Sequence, residues 1–291
     1  MSLDAATVAR LQGVKLRARA VVEGVLSGQH RSPHQGQSVE FAEHKEYAPG
    51  DELRHLDWKA YGKFDRYYVK RFEHETNLRA LMAVDASASM GYRSGALSKL
   101  EVATTLAGAL AFLLVRQQDA AGLSVMSGGV HRDVPPRASA GHLNLLLDAL
   151  ERTTAAGTTD LFGAAEHLAQ VLPRRSLVVV FSDLLDDRAD ALKRIASLRL
   201  RKNDVVVFHI VDPAELSFPF EDPTLFVDME GTASVEVNPR EIRDSYLEEF
   251  GAFLAGVKQT CVDADVDYTL VRTDEKLDDV LLRFLAGRGR R

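Results

Sequence analysis

The segment LMAVDASASMG, from Leu81, sets one carboxylate and two hydroxyls at alternate positions, Asp85, Ser87 and Ser89, directly after an apolar run. Two other stretches carry similar oxygens. VVVFSD ends on Asp183, and AAGTTDLFGAA presents Thr158, Thr159 and Asp160 at the start of a helical pattern. A hard divalent cation takes oxygen ligands and keeps several waters, so one or two carboxylates with hydroxyls suffice to hold it. Asp85, Ser87 and Ser89 supply one loop of such a site, with Thr159 and Asp183 converging from two others. With so few charged ligands the ion retains positive charge and an open position, which an acidic side chain of a protein partner can fill. Alone, D-x-S-x-S is a weak signal, because Asp and Ser also cap chains and shape turns. The three loops together, in this order, carry the reading.

These loops need elements that bring them to one place. From about Leu78 onward the apolar runs LRALMAVD, GLSVMS, SLVVVFSD, DVVVFHIVD and VDYTLVRT alternate with helical patterns beginning at Lys99, Leu161, Arg188, Pro239 and Lys276. Several runs are nearly continuous in Val, Leu and Phe, as strands buried on both faces are. The pattern predicts an α/β, doubly wound, mainly parallel sheet, in which ligands bind beyond the carboxyl ends of the strands. Asp85, Asp183 and Asp212 all end strands. FPFEDPTLFVDMEGTASVEVNP reads as a β-hairpin inserted near residues 218–238.

The first 77 residues differ. A helix is expected from about Ala5 to Leu26, followed by a small β-rich segment with strands in SVEFAEHKEY and RYYVKRFEHE. The expected division is therefore 1–77 for the N-terminal helix and β-rich segment, and 78–291 for the main domain. Within the first part, RHLDWKAYGK offers Arg54, Asp57 and Trp58 as a partner surface. The plainer reading pairs Arg54 with Asp57 and buries Trp58 as an anchor.

Composition excludes some functions. The net charge of -6 provides no basic field for nucleic acid. A single cysteine, Cys261, rules out an internal disulfide and a cysteine-rich metal site, and its apolar setting predicts a small buried hydrophobe. The longest apolar run, LAGALAFLLV, is about half the length of a bilayer span. With early charges in MSLDAATVARLQ, the chain reads as cytoplasmic, without membrane insertion.

DASAS, GTTDL and VVVFSD resemble the three loops of a metal-ion-dependent adhesion site in a von Willebrand factor A-like domain. That resemblance implies Mg²⁺ or Mn²⁺ held by Asp85, Ser87, Ser89, Thr159 and Asp183. It favours Thr159 over Thr158, because Asp160-Leu161 then falls where the family has Asn or Asp and an aliphatic residue. A glycine common after the last Asp is replaced here by Leu184. From about Gly28 to the C terminus, the chain also resembles the bacterial family called domain of unknown function 58. HKEYAPGDELRHLDW matches its core, with Lys45 near the usual arginine and Leu56 for isoleucine. Many members of that family carry N-terminal membrane helices. The resemblance implies a MoxR-type AAA+ ATPase as partner and a chaperone-like or complex-maturation role.

Catalysis is not expected. Phosphotransferases with an aspartate after the first strand use D-x-D, and Ser87 replaces the second acid. No G-x-S-x-G elbow, G-x-G-x-x-G turn or Walker-type lysine loop is present. The rivals to an adhesion-type protein-binding module are a metal-dependent phosphohydrolase and a scaffold whose serines only shape turns.

Overall fold

The structure is a computed structural model that describes residues 4–29, 44–46, 68–70, 78–188 and 190–288. The chain divides into two compact units, residues 32–77 and the remainder. In the smaller unit, β1 (His44–Glu46) pairs antiparallel with β2 (Tyr68–Lys70), Lys45 opposite Val69. Both strands fall inside the two segments expected to contain them. Arg54, Asp57 and Trp58 lie outside the described residues.

The larger unit begins with α1 (Ala5–Ala9), capped by the Asp4 carboxylate, which accepts the Thr7 N–H at 2.7 Å. Next comes α2 (Val14–Gln29). The single helix expected here is broken before Val14, where Gly13 adopts a φ of 88°. Val14, Ala18, Val21, Val22 and Val25 of α2 are buried in the same apolar cluster as the main sheet. This helix belongs to the same compact unit as residues 78–291. Its apolar stripe needs a face to cover, and the main core supplies one.

That face belongs to α3 (Lys99–Arg116), which starts in a capping box. Ser98 accepts the Glu101 N–H and Glu101 accepts the Ser98 N–H. Gly108 lets neighbours come close: a Cβ there would lie 3.2 Å from the Ala18 Cβ and 3.0 Å from a Leu147 methyl.

The main sheet contains β3 (Arg79–Asp85), β4 (Ala120–Ser127), β5 (Val130–Arg137), β6 (Leu177–Ser182), β7 (Asp204–Val211) and β10 (Asp267–Arg272). Their spatial order is β10-β7-β6-β3-β4-β5, parallel except for the edge strand β5. This is the expected doubly wound, mainly parallel α/β sheet. From β3 the chain proceeds to β4 on one side, then returns to place β6 on the other. The switch point thus lies between the carboxyl ends of β3 and β6.

Alternate residues of β3 divide between two cores. Ala80, Met82 and Val84 pack with α2, α3, α4 (Ala140–Glu151) and α9 (Leu277–Arg288). Leu81 and Ala83 pack with α5 (Leu161–Val171), α6 (Ala191–Ala196) and α8 (Pro239–Asp263). Burial of this kind contributes about 1.5–3 kcal/mol per large aliphatic side chain. It is why the β6 sequence LVVVFS is apolar on both faces.

Strand β5, helix α4 and a short helix after β7 have no counterpart in the sequence reading. Strand β5 contains Pro135 and Pro136 with several charges, a composition that a central strand excludes and an edge strand tolerates. Pro136 lies against Gly122, where the β4–β5 register shifts. Helix α4, capped by Ser139, buries Leu146, Leu147 and Leu150. Two short elements, α7 (Pro213–Ser217) and the hairpin β8 (Thr224–Val227) and β9 (Ser234–Val237), precede α8. The hairpin is the insertion expected near 218–238. Among the described residues no helix is long and apolar enough to cross a membrane.

Candidate metal centre at the strand switch

Asp85 closes β3 with its side chain buried. One carboxylate oxygen accepts the Ser87 N–H at 2.9 Å, and the other accepts the Ser182 hydroxyl at 2.6 Å. The first bond is an Asx turn, which bends the chain out of the strand. It leads into the 3-10 turn Ala88–Gly91, where the Ser87 and Ser89 hydroxyls lie 3.1 Å apart.

Main-chain hydrogen bonds fasten this loop to the Gly-Thr-Thr loop. Ala88 N–H donates to the Gly157 carbonyl at 3.0 Å, and Ala156 N–H donates to the Ala86 carbonyl at 2.8 Å. Gly157 has a φ of 75°, which a glycine adopts without strain. Asp160 is spent on capping α5, accepting the Gly163 N–H at 2.8 Å. Thr158 holds the loop through its carbonyl, which accepts the Gly128 N–H at 2.8 Å. Thr159 is left to face the site.

The third loop follows β6. Ser182 accepts the Leu184 N–H at 2.9 Å, and Asp183 accepts the Leu185 N–H at 3.2 Å. Leu184 has a φ of 59°, so the position where the resembling family has glycine keeps a left-handed backbone even with a leucine. The leucine side chain is buried against α5 and α6 residues. The loop keeps its shape at the cost of local strain, about 1–2 kcal/mol for a residue with a Cβ.

Three charged groups that the motif does not contain reach these loops: Lys99, Glu215 and Glu230. Lys99, the first residue of α3, is fully buried and donates to Asp183 at 2.8 Å and to Glu215 of α7 at 2.7 Å. Burial would depress this ammonium, but the two carboxylates more than offset that and hold it above its usual range. Glu230, at the hairpin tip, accepts the Thr159 N–H at 2.6 Å and the Thr159 hydroxyl at 2.7 Å. The Ser89 N–H points at the same carboxylate from 3.4 Å.

This donor set suits a hard cation. Asp183 and Glu215 share the Lys99 ammonium, while Asp85 is held by Ser87 and Ser182 and Glu230 by Thr159. Burial, with repulsion from Asp183, pushes the Asp85 carboxyl up to about 6 against the hydrogen bonds from Ser182 and Ser87. Among the described residues no group of three or more His, Cys, Asp or Glu side chains is placed to hold a metal. A cation here would therefore depend on the hydroxyls of Ser87, Ser89 and Thr159 beside Asp85 and Asp183. Asp212, the third strand-end acid, does a different job. It caps α7, accepting the Ala214 N–H at 2.9 Å and the Ser94 N–H at 3.0 Å. Burial alone would raise it, but Ser94, Ala214 and Thr273 hold it below its ordinary value.

Of the residues the sequence reading omitted, Lys99 had a partial signal: S-K-L-E is a capping box, which puts Lys99 in a first helical turn. Nothing local ties it to Asp183. Glu230 sits in a turn that was legible, but where the tip points was not.

The chain is similar over its length to uncharacterised mycobacterial proteins. It is 26% identical to Uncharacterized protein Rv1480 of Mycobacterium tuberculosis across 99% of this chain and 91% of that one. Among solved structures it is similar to the conserved hypothetical protein BatB from Bacteroides thetaiotaomicron, with 15% identity and a TM-score of 0.49 over 74% of this chain and 100% of that one. It is also similar to the SpRpn10 VWA domain, with 11% identity and a TM-score of 0.40 over 70% and 94%. Residues 43–252 match the family described as Protein of unknown function DUF58, and the chain belongs to that family.

Proposed function

We propose that this protein is a non-enzymatic binding module in which a divalent cation, Mg²⁺ or Mn²⁺, presents an open position to an acidic side chain of a protein partner. Asp85, Ser87, Ser89, Thr159 and Asp183 would hold the ion. The ion would supply positive charge for the incoming carboxylate. The observation that carries this reading is the Glu230 carboxylate on Thr159: the loops accept an acid at this place. The family resemblance names a MoxR-type AAA+ ATPase as candidate partner, and the cytoplasm as the place of their meeting belongs to the same proposal.

A phosphohydrolase of the D-x-D type would need a second acid two residues after Asp85. Ser87, where a second acid would act, has no titratable proton to exchange at neutral pH.

The test is partner capture from a lysate of the source organism, in Mg²⁺ and then in EDTA, with wild type beside Asp85→Ala and Ser87→Ala. The expected result is a partner lost in EDTA and lost with both folded variants. Capture that persists in EDTA and in both variants would overturn the reading.

A further inference from the structure

The hairpin that carries Glu230 contributes little to either apolar core. Leu225, Val227, Met229 and Val235 of β8, β9 and their turn are all more than a third exposed. The tip is nevertheless well built. Asp228 accepts the Glu230 N–H at 2.8 Å, and the Asp228 N–H donates to the Ala233 carbonyl at 2.9 Å. The Asp228 carboxylate also lies against Gly231, where it leaves no room for a Cβ. The turn is thus shaped to present one carboxylate outward, and that carboxylate lands on Thr159. Beside it, the Met229 methyl lies over Gly91 at the end of the D-x-S-x-S loop. Behind the hairpin is a cavity of about 910 Å³ whose walls include Phe218, Phe226 and Tyr246 together with Ser89, Thr159 and Lys99.

Three donors on one carboxylate are more than an incidental surface contact requires. Hydrogen bonds to a charged group contribute about 1.5–3 kcal/mol each where solvent is excluded. The hairpin's other anchor is Phe226, stacked on Phe218 at 5.6 Å and edge-on to Phe220 at 5.3 Å, and two strands alone are marginally stable in water.

We infer that Glu230 is an internal ligand of this site. The hairpin tip takes the position that a partner's acidic side chain must occupy, so capture of a partner requires the tip to release Thr159. The inference rests on the binding role proposed above and specifies it. The internal occupant shows the preferred chemistry: an acidic residue on a tight turn, preceded by an apolar side chain that covers Gly91. Release would also open the aromatic cavity, which gives an incoming segment an apolar surface to bury.

The experiment compares wild type with Glu230→Ala and Glu230→Gln, using two readouts on the full chain. The first is amide hydrogen exchange at Ser89 and Thr159 without any metal. Exchange at Thr159 should rise roughly tenfold or more in both variants, the loss expected for one charge-assisted hydrogen bond. The second is Mn²⁺ binding followed by electron paramagnetic resonance, with and without excess acetate. Glu230→Ala should bind Mn²⁺ roughly tenfold more weakly than wild type, since one carboxylate is lost beside the ion. Acetate should restore binding in Glu230→Ala, where the pocket is vacated, and leave wild type unchanged. Equal Thr159 exchange in all three proteins, or equal Mn²⁺ affinity with no acetate response, overturns the inference. Absence of Mn²⁺ binding by every protein refutes the metal reading instead, and the exchange result then decides by itself whether the hairpin holds these loops.

Discussion

The Lys99 ammonium lies 2.8 Å from the Asp183 carboxylate, and both side chains are only 1% exposed. A buried charge pair of this kind is costly to break, because the surviving partner stays in a poorly solvated place without compensation. The pair also bears on the proposed metal centre, because an Asp183 that served as a ligand there would be shared with the ammonium.

Replacing Lys99 by Met should therefore destabilise the protein by about 3–5 kcal/mol, the usual cost of removing one partner of a buried pair. Denaturant unfolding measures it. If Asp183 also faces a cation, saturating Mg²⁺ should recover more stability in Lys99→Met than it adds to wild type. Equal gains in the two proteins would show that Asp183 is not among the ligands.

Leu184 should show an inverted order of tolerance. Both Leu184→Ala and Leu184→Gly lose the buried side chain, a cost of about 2–5 kcal/mol for leucine truncation. Only glycine relieves the left-handed backbone, worth about 1–2 kcal/mol, against a flexibility cost of about 0.5–1 kcal/mol. The glycine variant should thus equal or exceed the alanine variant in stability. A glycine variant clearly less stable than alanine would mean that the 59° φ carries no strain.

Cys261 should behave as an inert core residue. It is fully buried, and burial pushes its thiol up to about 11 from 9.0. Thiol reagents at pH 8 should leave the native protein unmodified and label one group after denaturation. The linkage sign follows from a raised folded-state value. The neutral thiol's contribution is complete below pH 9.0 and is lost as pH rises towards about 11. Across that window wild type should lose stability relative to Cys261→Ala. Parallel stability curves would contradict it.

The residues differ in how much of their role was readable. The D-x-S-x-S turn is local: Asp85 bonds the amide two positions on, so its geometry follows from adjacent chemistry. The hairpin was legible for the same reason, through alternating apolar residues around Glu230-Gly231. Strand β5 and helix α4 were missed because edge position and packing override weak local preference. Leu184 in a left-handed conformation runs against its intrinsic preference, which no pattern in the sequence announces.

What the amino-acid order determined by itself was the set of elements with short-range causes: the Val-rich strands, the capped helices, the turns and the oxygen-bearing loops. Only the tertiary structure decided which of these meet. The winding of the sheet puts the end of β3 beside the end of β6, so Asp85 accepts a hydrogen bond from Ser182, 97 positions away. Packing of α3 delivers Lys99 to Asp183, 84 positions on, and the hairpin's path delivers Glu230 to Thr159, 71 positions back. Periodicity and capping act over a few residues, whereas these contacts depend on sheet order and on the burial of both cores. The ligand-like role of Glu230 belongs to that second kind of information.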